Sequence, residues 1–191
     1  VAENQFEEKT LKLRCAERIK ELEVERVVDL CLAAGLLKSL LDIGTGSGLF
    51  AEAFATRGVA VRGIDPDPDM IAAACTYLQN VDFLVATAEK LPFPDSAFDA
   101  CCMGMVLHET DQPAQALQEA CRVAKTLVAV LEWPDPRPED PEPPARRVSQ
   151  TEIEIMAHAA GFRGVSVQPL QHMVLYLLFK LNVPTQVPLP F

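Results

Sequence analysis

Two carboxylates and three glycines carry the clearest chemical pattern in this sequence. Asp42 stands just before Gly44-Thr45-Gly46-Ser47-Gly48, and Asp65 follows Gly48 by 17 residues. Leu40 to Ile43 reads as a buried strand running into the glycines, and Leu49 to Arg57 has helical composition. Alternating glycines at such a junction let a ligand approach the backbone where a Cβ would collide. The helix that follows offers unpaired N–H groups in its first turn. A carboxylate ending the next strand can accept hydrogen bonds from both hydroxyls of a ribose. The glycine spacing is not the GxGxxG of a dinucleotide site. The chemistry implied is the holding of a nucleoside-bearing small molecule.

Those groups need a sheet that brings strand ends together. Val59 to Ile64 is the next predicted strand, ending at Asp65, and the turn Pro66 to Asp69 leads into an apolar helix from about Met70 to Leu78. Val81 to Val85, Phe98 to Met105 and Leu127 to Leu131 read as further strands, and Pro113 to Ala124 as a helix with proline in its first turn. Alternating strand and helix patterns predict a mainly parallel sheet with helices on both faces. Upstream, Leu11, Cys15, Ile19 and Leu22 fall at helical spacing, and a second helical run, Val24 to Ala34, stops at Gly35. Pro134 to Pro144 holds six prolines in eleven residues and is expected to be an extended loop, either a lid or a linker. Ser149-x-x-Glu152 is a capping box opening a helix to about Ala160. Val165 to Val167 and Val174 to Phe179 are predicted as a closely joined antiparallel pair, followed by an irregular tail with Pro184, Pro188 and Pro190.

Composition narrows the class. The 191 residues carry 27 acids against 17 Lys and Arg, a formal charge of −10, which argues against nucleic-acid binding through phosphate neutralisation. No apolar run approaches the roughly 18 residues of a membrane span. The first residues lack the pattern of a secretory signal, and a start at Val1 predicts that the chain is incomplete or processed there. Six cysteines show no CxxC and no Cys/His ligand spacing, so no metal site is expected. They read as reduced thiols of a cytoplasmic protein. Adjacent Cys101 and Cys102 on a strand must point to opposite faces, as buried small hydrophobes or, alternatively, as a pair able to take a soft metalloid.

Four segments in register resemble one family. Besides the glycine loop and Asp65, Ala88-Glu89-Lys90-Leu91-Pro92-Phe93-Pro94-Asp95-Ser96-Ala97-Phe98-Asp99 is similar to the stretch before the fourth strand in class I S-adenosylmethionine-dependent methyltransferases of the small-molecule and ubiquinone-biosynthesis type. Met105 to Glu109 and Ala116 to Val123 resemble the family's segments C-terminal to that stretch. The resemblance spans roughly Leu40 to Glu132. It implies a Rossmann-like α/β three-layer sandwich, a seven-stranded mainly parallel sheet with an antiparallel last strand and an N-terminal helical cap.

The resemblance also implies roles. Asp42 with the backbone of Gly44, Thr45, Gly46 and Gly48 would hold the methionine part of S-adenosylmethionine, and Asp65 its ribose. Pro66 and Met70 would flank the adenine, Thr87, Ala88 and Glu89 would lie along its edge, and Met103 and Gly104 would border the sulfonium. Thr87 replaces a common Asp, and the usual Lys-Pro-Gly-Gly turn before the fifth strand is missing, since Lys125-Thr126 runs straight into Leu127. His108 is the candidate catalytic base or else shapes the pocket. Glu109, Glu132 and Trp133 are candidate contacts to the substrate.

The expected organisation is one domain: a helical cap over 1–38, a cofactor-binding core over 39–133, the proline-rich loop over 134–148, and a helix with a strand pair over 149–191. The expected activity is methyl transfer to a small-molecule acceptor. Its alternatives are an inactive S-adenosylmethionine-binding partner protein and a nicotinamide-dependent oxidoreductase.

Overall fold

A computed structural model describes residues 11–135 and 147–181. The first ten residues of the cap, residues 136–146 of the proline-rich stretch and the proline-containing tail lie outside the described residues. Seven strands form one sheet: β1 (Ser39–Ile43), β2 (Ala60–Asp65), β3 (Asp82–Val85), β4 (Phe98–Gly104), β5 (Ala124–Glu132), β6 (Gly164–Pro169) and β7 (Val174–Phe179). Their spatial order is β3-β2-β1-β4-β5-β7-β6. The first five pair in parallel, and β7 runs antiparallel to both β5 and β6. The order reverses between β1 and β4, which is where an open α/β sheet leaves a crevice at its carboxyl edge.

Among the described residues, helices α1 (Ala16–Glu21), α2 (Val24–Ala34), α3 (Leu49–Thr56), α4 (Pro68–Tyr77), α5 (Pro113–Val123) and α6 (Gln150–Ala160) flank it. Strand alternation divides the core into two layers. Leu41, Ile43, Cys101 and Met103 pack on one face with Leu117 and Ala120 of α5 and Ile153 of α6. Leu40, Ala100 and Cys102 pack on the other with Val27 and Cys31 of α2 and Phe54 of α3. The vicinal cysteines therefore point apart, both fully buried, and burial pushes both thiols upward.

Local chemistry sets the helix ends. The Asp67 side chain accepts from Asp69 N–H at the start of α4, with Pro68 in the first turn. Ser149 and Glu152 close the expected capping box on α6. Helix α5 passes directly into β5 with no connecting residue. The cap departs from its predicted periodicity. Leu22 is buried, but Leu11 and Ile19 are exposed. The helical run breaks at Glu23, whose φ of +47° turns the chain. That turn lets α2 pack on the sheet while α1 crosses above the carboxyl edge, so the two runs do not share one apolar face.

Candidate functional site

The glycine loop is built from three left-handed residues. Gly44 sits at φ +67°, and a Cβ there would come within 2.5 Å of Val106 Cγ2. Gly48, at φ +83°, precedes α3, and a Cβ on it would press Leu78 at 3.0 Å. Thr45 N–H donates to the Ile64 carbonyl of β2 at 2.8 Å, which draws the loop across the neighbouring strand.

Both sequence-predicted carboxylates are tied to this loop, in different ways. Asp42 is buried beneath it, with Oδ2 accepting from Thr45 Oγ1 at 2.6 Å and from Ala51 N–H at 3.1 Å. Burial pushes its carboxyl up to about 7, against the lowering effect of those two donors. Asp65 is 8% exposed at the end of β2. Its Oδ2 accepts from Gly46 N–H at 2.8 Å and its Oδ1 from Asp67 N–H at 2.9 Å.

Beside Asp65 lie two adjoining cavities of about 270 and 340 Å³. Both are lined by Gly44, Asp65, Pro66, Met105 and Glu109. Thr87, Ala88 and Glu89 line the first with Val106, Thr110 and Asp111. Thr45, Gly46, Met70 and Gly104 line the second with Ser47, Phe50 and Asp67. Together they fall in the range of roughly 300–1,000 Å³ usual for small-molecule sites.

Part of the second cavity is roofed from the cap, by Leu13, Arg18 and Leu22. The roof is fastened at Arg14. Its guanidinium donates to the Ser47 carbonyl at 2.8 Å, pairs with Glu52 and lies 4.2 Å over the Tyr77 ring.

Several expected residues take other places. Asp42 and Gly48 shape the loop from below and line neither cavity. Met103 is fully buried in β4, opposite Ile43 and Val130, so its side chain fills the core instead of bordering the site. Met105 replaces it. At φ +64°, with its N–H donating to the Leu131 carbonyl at 2.8 Å, Met105 turns sharply out of the strand and into both cavities. Gly104 makes room for the Phe50 ring, which a Cβ would meet at 2.6 Å.

Glu132 is 1% exposed and lines neither cavity, so it is not placed to touch substrate. Its carboxylate accepts from His108 N–H at 3.3 Å and meets His108 Nδ1 at 2.8 Å. Trp133 packs beside the core, 5.9 Å beneath the Arg147 guanidinium, also away from both cavities. Glu109 alone of the three candidate substrate contacts lines the site. His108 is set just behind it, with Nε2 3.8 Å from Glu109 Oε1. The hydrogen bond to Glu132 raises the imidazole pKa.

The Ala88–Asp99 segment is held by helix α5. Arg122 donates to the carbonyls of Phe93 and Leu91 at 2.7 and 3.1 Å, and Glu119 accepts from Leu91 N–H at 2.8 Å. These two side chains belong to the Ala116–Val123 segment, so the two stretches noted in the sequence are one interlocked unit.

Residues 41–128 match the model of a methyltransferase domain. An uncharacterized methyltransferase of Mycobacterium leprae is 43% identical over 88 residues, covering 45% of this chain and 33% of that protein. The uncharacterized methyltransferase YcgJ of Bacillus subtilis is 36% identical over 107 residues, covering 53% of this chain and 42% of that protein. The chain thus spans well under half the length of these curated relatives. A crystal structure of an S-adenosylmethionine-dependent methyltransferase from Aquifex aeolicus superposes with a TM-score of 0.78 at 26% identity, covering 91% of this chain and 98% of that one.

Proposed function

The chain belongs to the class I S-adenosylmethionine-dependent methyltransferase family, and on that premise we propose that it transfers a methyl group to a small-molecule acceptor at the cavities around Asp65. The observation that carries the reading is Asp65 itself: a nearly buried carboxylate that fixes the glycine loop and still faces both cavities.

The residues present suit the group they would hold. Asp65 takes the ribose hydroxyls. Backbone of Gly44 to Gly46 faces the methionine portion, where the Gly44 site has no room for a Cβ. Pro66 and Met70 flank the adenine, with Thr87, Ala88 and Glu89 along its edge. Asp42 acts indirectly, by setting Thr45 and the start of α3. S-adenosylmethionine supplies a methyl group already activated on a sulfonium, so the protein chiefly has to bind, align and keep water out. Leu13 and Leu22 from the cap, with Phe50 and Met105, supply apolar cover on that side.

Acidic side chains of Asp65, Asp67, Glu89, Glu109 and Asp111 line the cavities. This favours a cationic ligand and counts against an anionic nucleic-acid acceptor. The same reading assigns 39–133 as the cofactor-binding core, roofed by the cap, in one domain. Six free thiols support a cytoplasmic setting. Among the described residues no helix is long and apolar enough to cross a membrane.

Release of S-adenosylhomocysteine from S-adenosylmethionine, followed across a panel of metabolite acceptors, tests the proposal. Turnover with any acceptor supports it. Tight S-adenosylhomocysteine binding without turnover would instead favour the inactive binding protein.

A further inference from the structure

We propose that Arg18 selects the methyl acceptor, and that it does so by holding a carboxylate on a small molecule. The inference rests on the methyl-transfer reading and deepens it by naming a group the acceptor carries. The carboxylate is an anchor here and not the methylated atom.

The cap segment crosses the carboxyl edge of the sheet between two fixed points. At one end Arg14 is tied to the Ser47 carbonyl, Glu52 and the Tyr77 ring, on the side of the glycine loop and α4. Leu13 stands there over Gly46, its Cδ1 4.0 Å from where a Cβ would be. At the other end Glu23 accepts from the N–H of Gln171, shortly before β7, whose Val174 is opposite Glu132 at the end of β5. The chain between those points passes over the end of β4. Arg18 lies on that passage and lines the second cavity beside Gly104, Met105 and Glu109. It does not line the first cavity, where Thr87, Ala88 and Glu89 stand.

The charge of Arg18 is an exception at this site. Among the described residues it is the sole cationic side chain lining either cavity, against acids at 65, 67, 89, 109 and 111. A quarter of the side chain is exposed, and Nη1 donates to Glu21 Oε2 at 2.9 Å. That pair lies on one turn of a short helix at the surface, where such pairs contribute little. It leaves most of the guanidinium's donors to the cavity. Glu109 lines the same cavity, but its ion contact is with His108 Nε2 at 3.8 Å and not with Arg18.

A planar guanidinium matches a carboxylate through two parallel hydrogen bonds. A phosphate ester would fit the same fork, yet its second negative charge would be repelled by Asp65, Asp67 and Glu109 on the same cavity. One negative charge is what the wall tolerates, and the sulfonium of the cofactor offsets part of its acidity. The cofactor's own methionine portion faces Gly44 to Gly46, under Leu13 and Arg14. Arg18 lies further along the cap, over β4, and so reads the acceptor.

The test uses benzoate and benzamide as probes on the full chain saturated with S-adenosylhomocysteine. The Arg18 Nε–H resonance is followed by NMR together with the Gly104 and Met105 amides. Benzoate should shift all three and benzamide none of them. Benzoate affinity read at the amides should fall about tenfold or more in Arg18→Gln, recover in part in Arg18→Lys and hold in Glu21→Gln, which removes the surface pair alone. An Arg18 resonance that S-adenosylhomocysteine moves and benzoate does not would assign the guanidinium to the cofactor and overturn the proposal. An equal response to benzamide, or benzoate affinity unchanged in Arg18→Gln, would overturn it as well. Calorimetry of S-adenosylhomocysteine on the same samples separates these failures from failure of the methyltransferase reading, in which the cofactor product itself would not bind.

Turnover gives a second readout. Acceptors that are methylated should show kcat/KM about tenfold or more higher as carboxylates than as the matching carboxamides, with KM raised and kcat kept in Arg18→Gln. A preference that is absent, or that survives the substitution, contradicts the assignment.

Discussion

The N–H of Gly46 donates to Oδ2 of Asp65 at 2.8 Å, tying the loop after β1 to the end of β2. One carboxylate therefore sets the shape of the loop and also faces the cavities it encloses. Binding and loop geometry are coupled through this bond, which shapes what substitutions near it should do.

Gly44→Ala should damage the fold and the site together. The residue sits at φ +67°, and its new methyl would meet Val106 Cγ2 at 2.5 Å. Left-handed strain and overpacking together should cost about 2 kcal/mol or more. Thermal unfolding should show a Tm several degrees lower, and calorimetry little or no S-adenosylhomocysteine binding.

Asp42 predicts a pH dependence of stability. Its folded pKa is raised by burial from 3.8 to about 7. Between those values the native state keeps a proton that the unfolded state has lost, so stability falls as pH rises through that window. Asp42→Asn retains an oxygen to accept from Thr45 and Ala51 and removes the titration. Urea unfolding of the variant should be flatter from pH 4 to 7, and at pH 7 the variant should be the more stable protein.

The roof depends on Arg14, whose partners are the Ser47 carbonyl, Glu52 and the Tyr77 ring. Arg14→Ala should leave the sheet intact and loosen the cap. Stopped-flow measurements should show S-adenosylhomocysteine dissociating several-fold faster, with Tm changed far less than in Gly44→Ala.

Thiol chemistry tests the layering of the core. Cys75 is exposed and Cys15 half-buried, whereas Cys31, Cys101, Cys102 and Cys121 are buried. A thiol reagent should react fastest at Cys75 and more slowly at Cys15 in the native protein, and Cys75→Ser should remove the fast phase alone. The vicinal pair should not take a bridging arsenical, because Cys101 and Cys102 point into different layers.

Most of the sheet was legible because its strands are short apolar runs punctuated by glycine and proline. Val174–Phe179 coincides with its predicted span, and the glycine loop announces itself through residues that only left-handed backbone requires. The site was less legible where a single residue's direction decides. Strand alternation turns Met103 inward, and a left-handed Met105 then turns outward, a conformation that methionine does not advertise. Glu132 looked like a strand-end acid open to substrate, since sequence does not reveal burial by later elements. The roof residues Leu13 and Arg18 had no signal at all. The helical run that carries them is interrupted at Arg14–Cys15 and again at Glu23, and a single left-handed glutamate leaves no compositional trace.

Asp65 is the residue on which the cofactor assignment can be tested most directly. Thermal unfolding of the wild type and of Asp65→Ala, each with saturating S-adenosylhomocysteine and separately with NAD, measures it. A clear stabilisation of the wild type by S-adenosylhomocysteine, absent with NAD and lost in Asp65→Ala, is the predicted result. A shift of equal size in Asp65→Ala, or a wild type that responds to NAD instead, would contradict the assignment of the site.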